Sequence, residues 1–376
     1  MATIRVLDRS NRKEVNDFIR LPFELYKDNK YWVPPFISEM KDVLNPNKHP
    51  FYKHSVAEFF VAYEGENLVG RIAAMENIPF NEYHKTKKGS FYFFECIEDF
   101  EVAKQLFEAA FDWCRKRGLN LILGPKGFSP FDGYGLVVEG YNYRQMMTMM
   151  NYNPPYYVKF VEDLGFTKFV DFVSCYVDLN KFEVPEKVTK VAERVLEKGT
   201  FEILDLKTTK DAKEWALKIG HAYNKSFINN WEYYPITDDE INFTLKSVLT
   251  VADPRLLKFI MKNGEIVGFI FGFKDLSPAL QRGKGRLTPW AIADIMLESK
   301  RTKFLDMNGI GILPEYQGMG GAALMYHVMN KVMREYEFEE CELTQVAESA
   351  VQMRKDLITL GGIPYKNHRV FQKTLD

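Results

Sequence analysis

The run Gly309-Ile310-Gly311-Ile312-Leu313 passes through Pro314-Glu315-Tyr316 into Gln317-Gly318-Met319-Gly320-Gly321-Ala322, and a helical pattern follows to Glu335. Strand, small-residue loop and helix in immediate succession commit this part of the chain to an α/β arrangement, because glycines let the backbone turn sharply into the helix. The same residues make an anion trap. With no Cβ atoms in the way, successive amide N–H groups converge on a phosphate, and the helix N-terminus adds partial positive charge. A Gly-rich strand-to-helix turn without a ligand is the plain structural alternative.

Two nucleotide-binding readings of the loop meet difficulties. A Walker loop needs Gly-Lys followed by Ser or Thr, and the loop contains no lysine. Gly318-Met319-Gly320-Gly321-Ala322-Ala323 fits a dinucleotide fingerprint with alanine in its last place. That fold puts the ribose-binding acid at the end of the next strand, whereas Glu339 and Glu340 precede it.

A chain of 376 residues suits two domains of roughly 180 residues each. Fifty basic against fifty-one acidic side chains leave a net charge of -1, so no overall field draws the chain to nucleic acid or anionic lipid. Cys96, Cys114, Cys175 and Cys341 are scattered, with no CxxC pair and no clustered histidines. Neither a zinc site nor a disulfide framework is expected, and a reducing cytoplasm fits. The N-terminus lacks an apolar signal core and no run of 18 uncharged apolar residues occurs, so neither export nor membrane anchoring is expected; with the balanced charge no nucleic-acid or membrane partner is expected, a local basic patch aside.

Periodicity gives the element order. In the first half, a strand at 3–7 precedes a helix at 15–25, hairpin strands at 59–63 and 68–75, and a strand at 90–97. A helix at 102–117 stops at Gly118; a strand at 120–124, a helix at 156–164 and a strand at 170–177 follow. The second half repeats the order: strand 201–206, helix 212–224, and a hairpin at 256–273 about Lys262-Asn263-Gly264. Then come strand 304–313, helix 320–335, strand 340–346, helix 350–360 and a last strand around Val370. Between the halves, Val188, Val191, Ala192 and Val195 share one helical face, the mark of an amphipathic connector.

The motif loop and its lead-in Ile312-Leu313-Pro314-Glu315-Tyr316 resemble motif A of the GNAT acetyltransferase superfamily: Gln or Arg, two residues, Gly, one residue, then Gly or Ala, met by Gln317, Gly320 and Ala322. The family's element order also matches over about residues 200–375. The resemblance implies an α/β fold with a mixed sheet in two tandem GNAT-like domains: a degenerate one over 1–180, a connector at 181–199, and one carrying the acyl-CoA motif over 200–376. In the family, the fourth and fifth strands splay apart and pantetheine lies between them. By resemblance, Ile310, Ile312 and Leu313 offer backbone contacts to pantetheine, while Gln317, Gly318, Met319, Gly320, Gly321 and Ala322 hold the pyrophosphate of acetyl-CoA or another acyl-CoA.

The implied activity is N-acyl transfer to a small-molecule or peptide amine, most simply from acetyl-CoA, by direct attack. A longer acyl-CoA or an acyl carrier protein as donor, and a CoA-binding sensor without turnover, are the alternatives. A base is wanted near the cleft. Counting back from Gln317 to the place where some family members carry a glutamate lands on Asp306; Glu348 is a second candidate. The tyrosine acid that the family often keeps on its last helix is absent, since Leu357 and Ile358 occupy that region. Tyr316 and Tyr365 are the phenols left to approach the thiol.

The first half has no matching loop. Glu98-Asp99-Phe100-Glu101 stands there, and its carboxylates favour a helix dipole while repelling a pyrophosphate. Two long inserts remain. Residues 124–157 hold Phe128-Ser129-Pro130-Phe131-Asp132-Gly133-Tyr134-Gly135, then Met146, Met147, Met149 and Met150, a composition that suits either an adaptable apolar pocket or packing between domains. Residues 275–300 hold Gln281-Arg282-Gly283-Lys284-Gly285-Arg286 before Leu287-Thr288-Pro289-Trp290, and read as a basic loop.

Overall fold

The computed structural model describes residues 2–147 and 150–376, so Met149 lies outside the described residues. The chain packs as two compact units. The first comprises Met1–Phe172, Ser277–Leu297 and Lys366–Asp376, the second Val173–Leu276 and Glu298–Tyr365.

Within the first stretch of chain run β1 (Thr3–Val6), α1 (Arg12–Leu25), α2 (Ile37–Leu44), β2 (Val56–Glu64), β3 (Asn67–Glu76), α3 (Ile78–His84), β4 (Lys88–Cys96), α4 (Phe100–Lys116), β5 (Leu121–Gly124), β6 (Leu136–Glu139), α5 (Tyr156–Asp163) and β7 (Thr167–Asp178). β1 to β4 pair antiparallel in chain order, and β5 joins β4 in parallel. The next strand in this unit comes from far along the chain: Phe371 to Thr374 pair antiparallel with Gly124 to Leu121. One sheet face is covered by α4 and α5 over a core containing Phe91, Phe94, Phe107, Phe111, Ile122, Tyr157 and Phe371. Phe18 of α1 and Met40 of α2 cover the other, over Phe51, Phe59, Val61 and Phe128. Asn11 caps α1 and Asp99 caps α4, each accepting from two backbone N–H groups, which explains where these helices start.

The second stretch continues with α6 (Glu186–Glu197), β8 (Glu202–Asp205), α7 (Thr209–Ser226), α8 (Asp238–Val251), β9 (Leu257–Lys262), β10 (Glu265–Lys274), α9 (Ser277–Gly283), α10 (Pro289–Arg301), β11 (Phe304–Ile312), α11 (Gly321–Glu335), β12 (Glu340–Ala347), α12 (Val351–Thr359) and β13 (Ile363–Thr374). β8, β9, β10 and β11 pair antiparallel in chain order, and β12 adds in parallel to β11. Capping boxes at Thr208/Asp211 and Thr237/Glu240 start α7 and α8. The β9–β10 hairpin turns on Asn263 and Gly264, both at positive φ, as the sequence predicts. α7 lies over Phe259, Phe269 and Phe273. On the opposite face, α6 and α11 pack together over Ile260, Val267 and Ile270, with Ala192, Val195, Leu324, Met325 and Met329 buried between. The segment read as a connector is therefore part of this unit's core.

The packing units cut across the contiguous partition 1–180, 181–199 and 200–376. That partition describes the order of elements along the chain and, as a statement of domains, stays a proposal. The periodicity reading omitted α2, α3, α8, α9, α10 and β6. The most consequential omission is α10, inside the segment taken for a basic loop. Its first nine residues pack with the first unit, and its large apolar side chains point outward, so it lacks the polar outer face by which a surface helix is recognised.

Candidate active site

β11 and β12 stay in parallel register from Phe304↔Glu340 to Met307↔Leu343, and their pairing ends there, while β11 continues alongside β10 to Ile312. Beyond Met307 the two strands are therefore free of each other, which is the splay expected of the motif. The separation begins at a bulge: the β10–β11 register shifts between Ile270 and Gly272, opposite Gly309 at φ +106.

The ladder determines which backbone groups on β11 face the opening. Leu313 donates its N–H to Val267 O at 2.9 Å and accepts from Tyr316 N–H at 2.9 Å through its carbonyl, so both of its backbone groups are satisfied within the chain. Antiparallel alternation then sends the backbone groups of Gly311 toward β10 and those of Ile310 and Ile312 toward the opposite edge. Of the three strand residues assigned to pantetheine contacts, Ile310 and Ile312 are directed to the opening and Leu313 is not.

Pro314–Tyr316 form one 3-10 turn, and Gln317 Nε2 donates back to Ile312 O at 3.1 Å, tying the loop to the strand end. Gly318 (φ +77) and Gly320 (φ +86) take left-handed conformations, and Gly320 is the N-cap of α11. A Cβ on Gly320 would sit 2.7 Å from Val195 Cγ2, so α6 approaches too closely for a side chain there. No side chain caps α11, as none caps α2, α5, α6 or α12, whereas α1, α4, α7 and α8 receive a side-chain oxygen; what sets α11 apart is the exposed loop with two left-handed glycines in front of it. Gln317, Gly318 and Met319 are exposed, and Gly321 and Ala322 begin the helix. An exposed, uncapped helix N-terminus behind two left-handed glycines is suited to an anion such as a phosphate group.

Asp306 is the last but one β11 residue before the separation and is 1 % exposed. It is in register with Glu342 of β12, itself fully buried, and accepts a short hydrogen bond from the Thr344 hydroxyl. Tyr365 of β13 donates a short hydrogen bond to Glu342. Burial, and then the Glu342 carboxylate, push the Tyr365 phenol far above its ordinary range, which keeps it protonated and a hydrogen-bond donor. Burial also raises the Cys341 thiol, with Asp306 and Glu342 adding to it, so this cysteine is no nucleophile.

Two carboxylates and two hydroxyls thus converge where the strands part. The sequence reading named Asp306 and mentioned Tyr365, but missed Glu342 and Thr344. The signal was present in Glu340-Cys341-Glu342-Leu343-Thr344, where polar residues alternate with apolar ones along a buried strand; pairing it in parallel with β11 puts Glu342 beside Asp306. Glu348 lies half-buried in the turn after β12. The Tyr316 ring packs edge-on against Phe201, 6.3 Å between centroids, and anchors the motif loop to the core. Leu357 is buried and Ile358 is 70 % exposed, so α12 brings no phenol from these positions.

The first unit repeats the strand geometry with a different filling. β4 and β5 pair only from Lys88↔Leu121 to Ser90↔Leu123. Past that point the chain's own segment enters: Lys126 N–H donates to Phe91 O at 3.0 Å. The Tyr157 hydroxyl accepts from Cys96 N–H at 2.7 Å and lies 3.0 Å from Glu95 Oε2. Asp99 already occupies the N-terminus of α4.

A splayed parallel strand pair, a glycine loop opening onto a bare helix end, and a repeat of the same plan in the first unit define a tandem GNAT fold. Solved structures agree. A tandem GNAT protein from the clavulanic acid biosynthesis pathway superposes with a TM-score of 0.58 at 12 % identity, covering 100 % of this chain and 99 % of that one. A GCN5-related N-acetyltransferase from Sphaerobacter thermophilus gives 0.52 at 13 % identity, with 100 % and 96 % covered. Among curated proteins, the chain is 28 % identical over 382 residues to the bacterial ceramide synthase of Caulobacter vibrioides, spanning 100 % of this chain and 98 % of the relative. It is 25 % identical over 374 residues to Protein YghO of Escherichia coli, spanning 97 % and 94 %. No protein-family model matches the chain.

Proposed function

We propose that the second unit is an acyltransferase that moves an acyl group from acyl-CoA to an amine, forming an amide. The observation that carries this is the alignment of the β11–β12 opening with the uncapped glycine loop of α11. Acyl-CoA supplies an activated thioester carbonyl. Toward it, the N–H groups of Ile310 and Ile312 on the open edge act as donors for developing oxyanion charge, and Gln317 to Ala322 neutralise the diphosphate. Asp306, with Glu342 in register beside it, takes the proton that the amine loses as its nitrogen bonds to the carbonyl carbon and the C–S bond breaks. Tyr365 orients Glu342; a phenol held so firmly protonated is a weak acid toward the departing thiolate.

The sequence resemblance favours acetyl-CoA as donor. The full-length similarity to a protein named a ceramide synthase favours instead a long-chain acyl donor and a lipid-like amine, and we adopt that reading, with an acyl carrier protein as an alternative carrier. The four cysteines, all free and buried, suit the cytoplasm. No helix among the described residues is long and apolar enough to cross a membrane.

Thermal-shift titration with CoA, acetyl-CoA and long-chain acyl-CoAs tests the site before any acceptor is known. A ligand at 100 times its dissociation constant raises stability by about 2.7 kcal/mol. No shift with any of them overturns the reading. With an amine acceptor in hand, Asp306→Asn and Glu342→Gln are each expected to lower kcat by about 100-fold or more while leaving the CoA shift in place. Release of thiol at the wild-type rate from both variants removes the base assignment.

A further inference from the structure

We infer that α10 is a membrane-interface helix that seats the protein on anionic lipid. The inference rests on this helix and goes beyond the acyl-transfer reading. Trp290 and Met296 are 63 % and 60 % exposed, and Ile292, Leu297 and the preceding Leu287 are each more than 40 % exposed. Trp290, Ala293, Met296, Leu297, Lys300 and Arg301 follow helical spacing along one face, with Ile292 at its border. The opposite face carries Ala291, Asp294, Ile295 and Glu298, all buried or half-buried, and Asp294 is held by Arg282 at 2.8 Å. The usual amphipathic order is inverted. Carboxylates turn toward the protein, and a continuous apolar strip faces outward.

Charge identifies the occupant. Lys284 and Arg286 are exposed just before the helix, Lys300 and Arg301 in its last turn, and no acid interrupts the exposed face between them. A second copy fits poorly: both ends of the strip are cationic, so parallel and antiparallel pairing alike bring like charges together. Bulky apolar side chains with a tryptophan, bracketed by lysine and arginine, match the boundary between headgroups and acyl chains of a negatively charged bilayer. Absence of a spanning segment and a net charge of -1 had suggested no membrane partner; neither bears on a helix that lies in the interface.

Co-sedimentation of the full chain with vesicles of phosphatidylcholine, with and without phosphatidylglycerol, tests this. Binding to the phosphatidylglycerol vesicles, weakening as salt rises, is expected. Trp290→Ser with Met296→Ser, and Lys300→Glu with Arg301→Glu, are each expected to lower partitioning by about tenfold or more, with melting temperatures unchanged because these side chains are exposed. Brominated acyl chains are expected to quench wild-type fluorescence more than that of Trp290→Phe. The inference is overturned if vesicles containing phosphatidylglycerol leave the protein in the supernatant, or if the variants partition like the wild type. It is also overturned if the substitutions abolish only self-association, or only binding to an acyl carrier protein, and leave lipid partitioning intact.

Discussion

Gly320 meets two demands at once, a left-handed backbone at φ +86 and a Val195 side chain 2.7 Å from where a Cβ would lie. Gly320→Ala is expected to cost about 1–2 kcal/mol from the backbone alone and to weaken CoA binding by displacing the start of α11. Chemical denaturation and the CoA thermal shift read the two effects separately. In the first unit, two residues tilt the pH dependence in opposite directions. Burial holds His368 neutral, its pKa lowered from 6.5 to about 4. Below pH 6.5 the unfolded chain takes up a proton that the folded chain refuses, so this contribution of about 3 kcal/mol is lost between pH 6.5 and 4. Glu39 is raised from 4.5 to about 7, by burial first and then by Asp132 and Asp42. It favours the folded state below about pH 4.5 and that contribution is lost as pH rises to 7. Urea titrations of His368→Gln and Glu39→Gln against wild type, from pH 4 to 8, are expected to change the slope of stability with pH in opposite senses.

At the scale of elements, the two strand-loop-helix junctions show how small a sequence difference separates an open site from a closed one. After β4, three residues lead to α4 and Asp99 accepts from Glu101 and Val102 N–H. After β11, eight residues ending in glycine lead to α11 and leave its N–H groups bare. Asp99→Ala is expected to lower stability by about 1 kcal/mol without creating a CoA shift, since Tyr157 and the segment after β5 still fill the opening; denaturation and thermal shift check both parts. This contrast was legible in sequence, as were most strands and the helices α1, α4, α7 and α11, because apolar periodicity and glycine stops are local signals; α8 and α10, of 14 and 13 residues, were not. Register was not. Glu342 became a neighbour of Asp306 only when β11 and β12 were paired, and seeing that both backbone groups of Leu313 are taken up within the chain required knowing which edge of β11 faces β10. α10 escaped notice because its exposed face is apolar, so a pattern that normally marks a core helix sat beside a basic loop.

For the whole molecule, the order of residues and the packing units differ. Lys366–Asp376 belong to the first unit, where β13 pairs with β5 and Phe371 enters the α4 core. Residues 1–180 produced alone are therefore expected to expose the β5 edge and to remain poorly folded. Addition of a peptide spanning 363–376 is expected to restore protection of β5 amides, measured by hydrogen exchange. A fragment that shows full protection without the peptide defeats the expectation.

The same strand imposes a schedule on synthesis. Gly124 leaves the ribosome with its hydrogen-bonding partner Phe371 still untranslated. At 5–20 residues per second, the interval is roughly 10 to 50 s. During that time the nascent first half carries an unmatched strand, and the strand is matched only after β8 to β12 have all been made. A chain that stops anywhere between β8 and β13 thus leaves both units unfinished, so protein quality control meets either two closed units or a visibly incomplete pair.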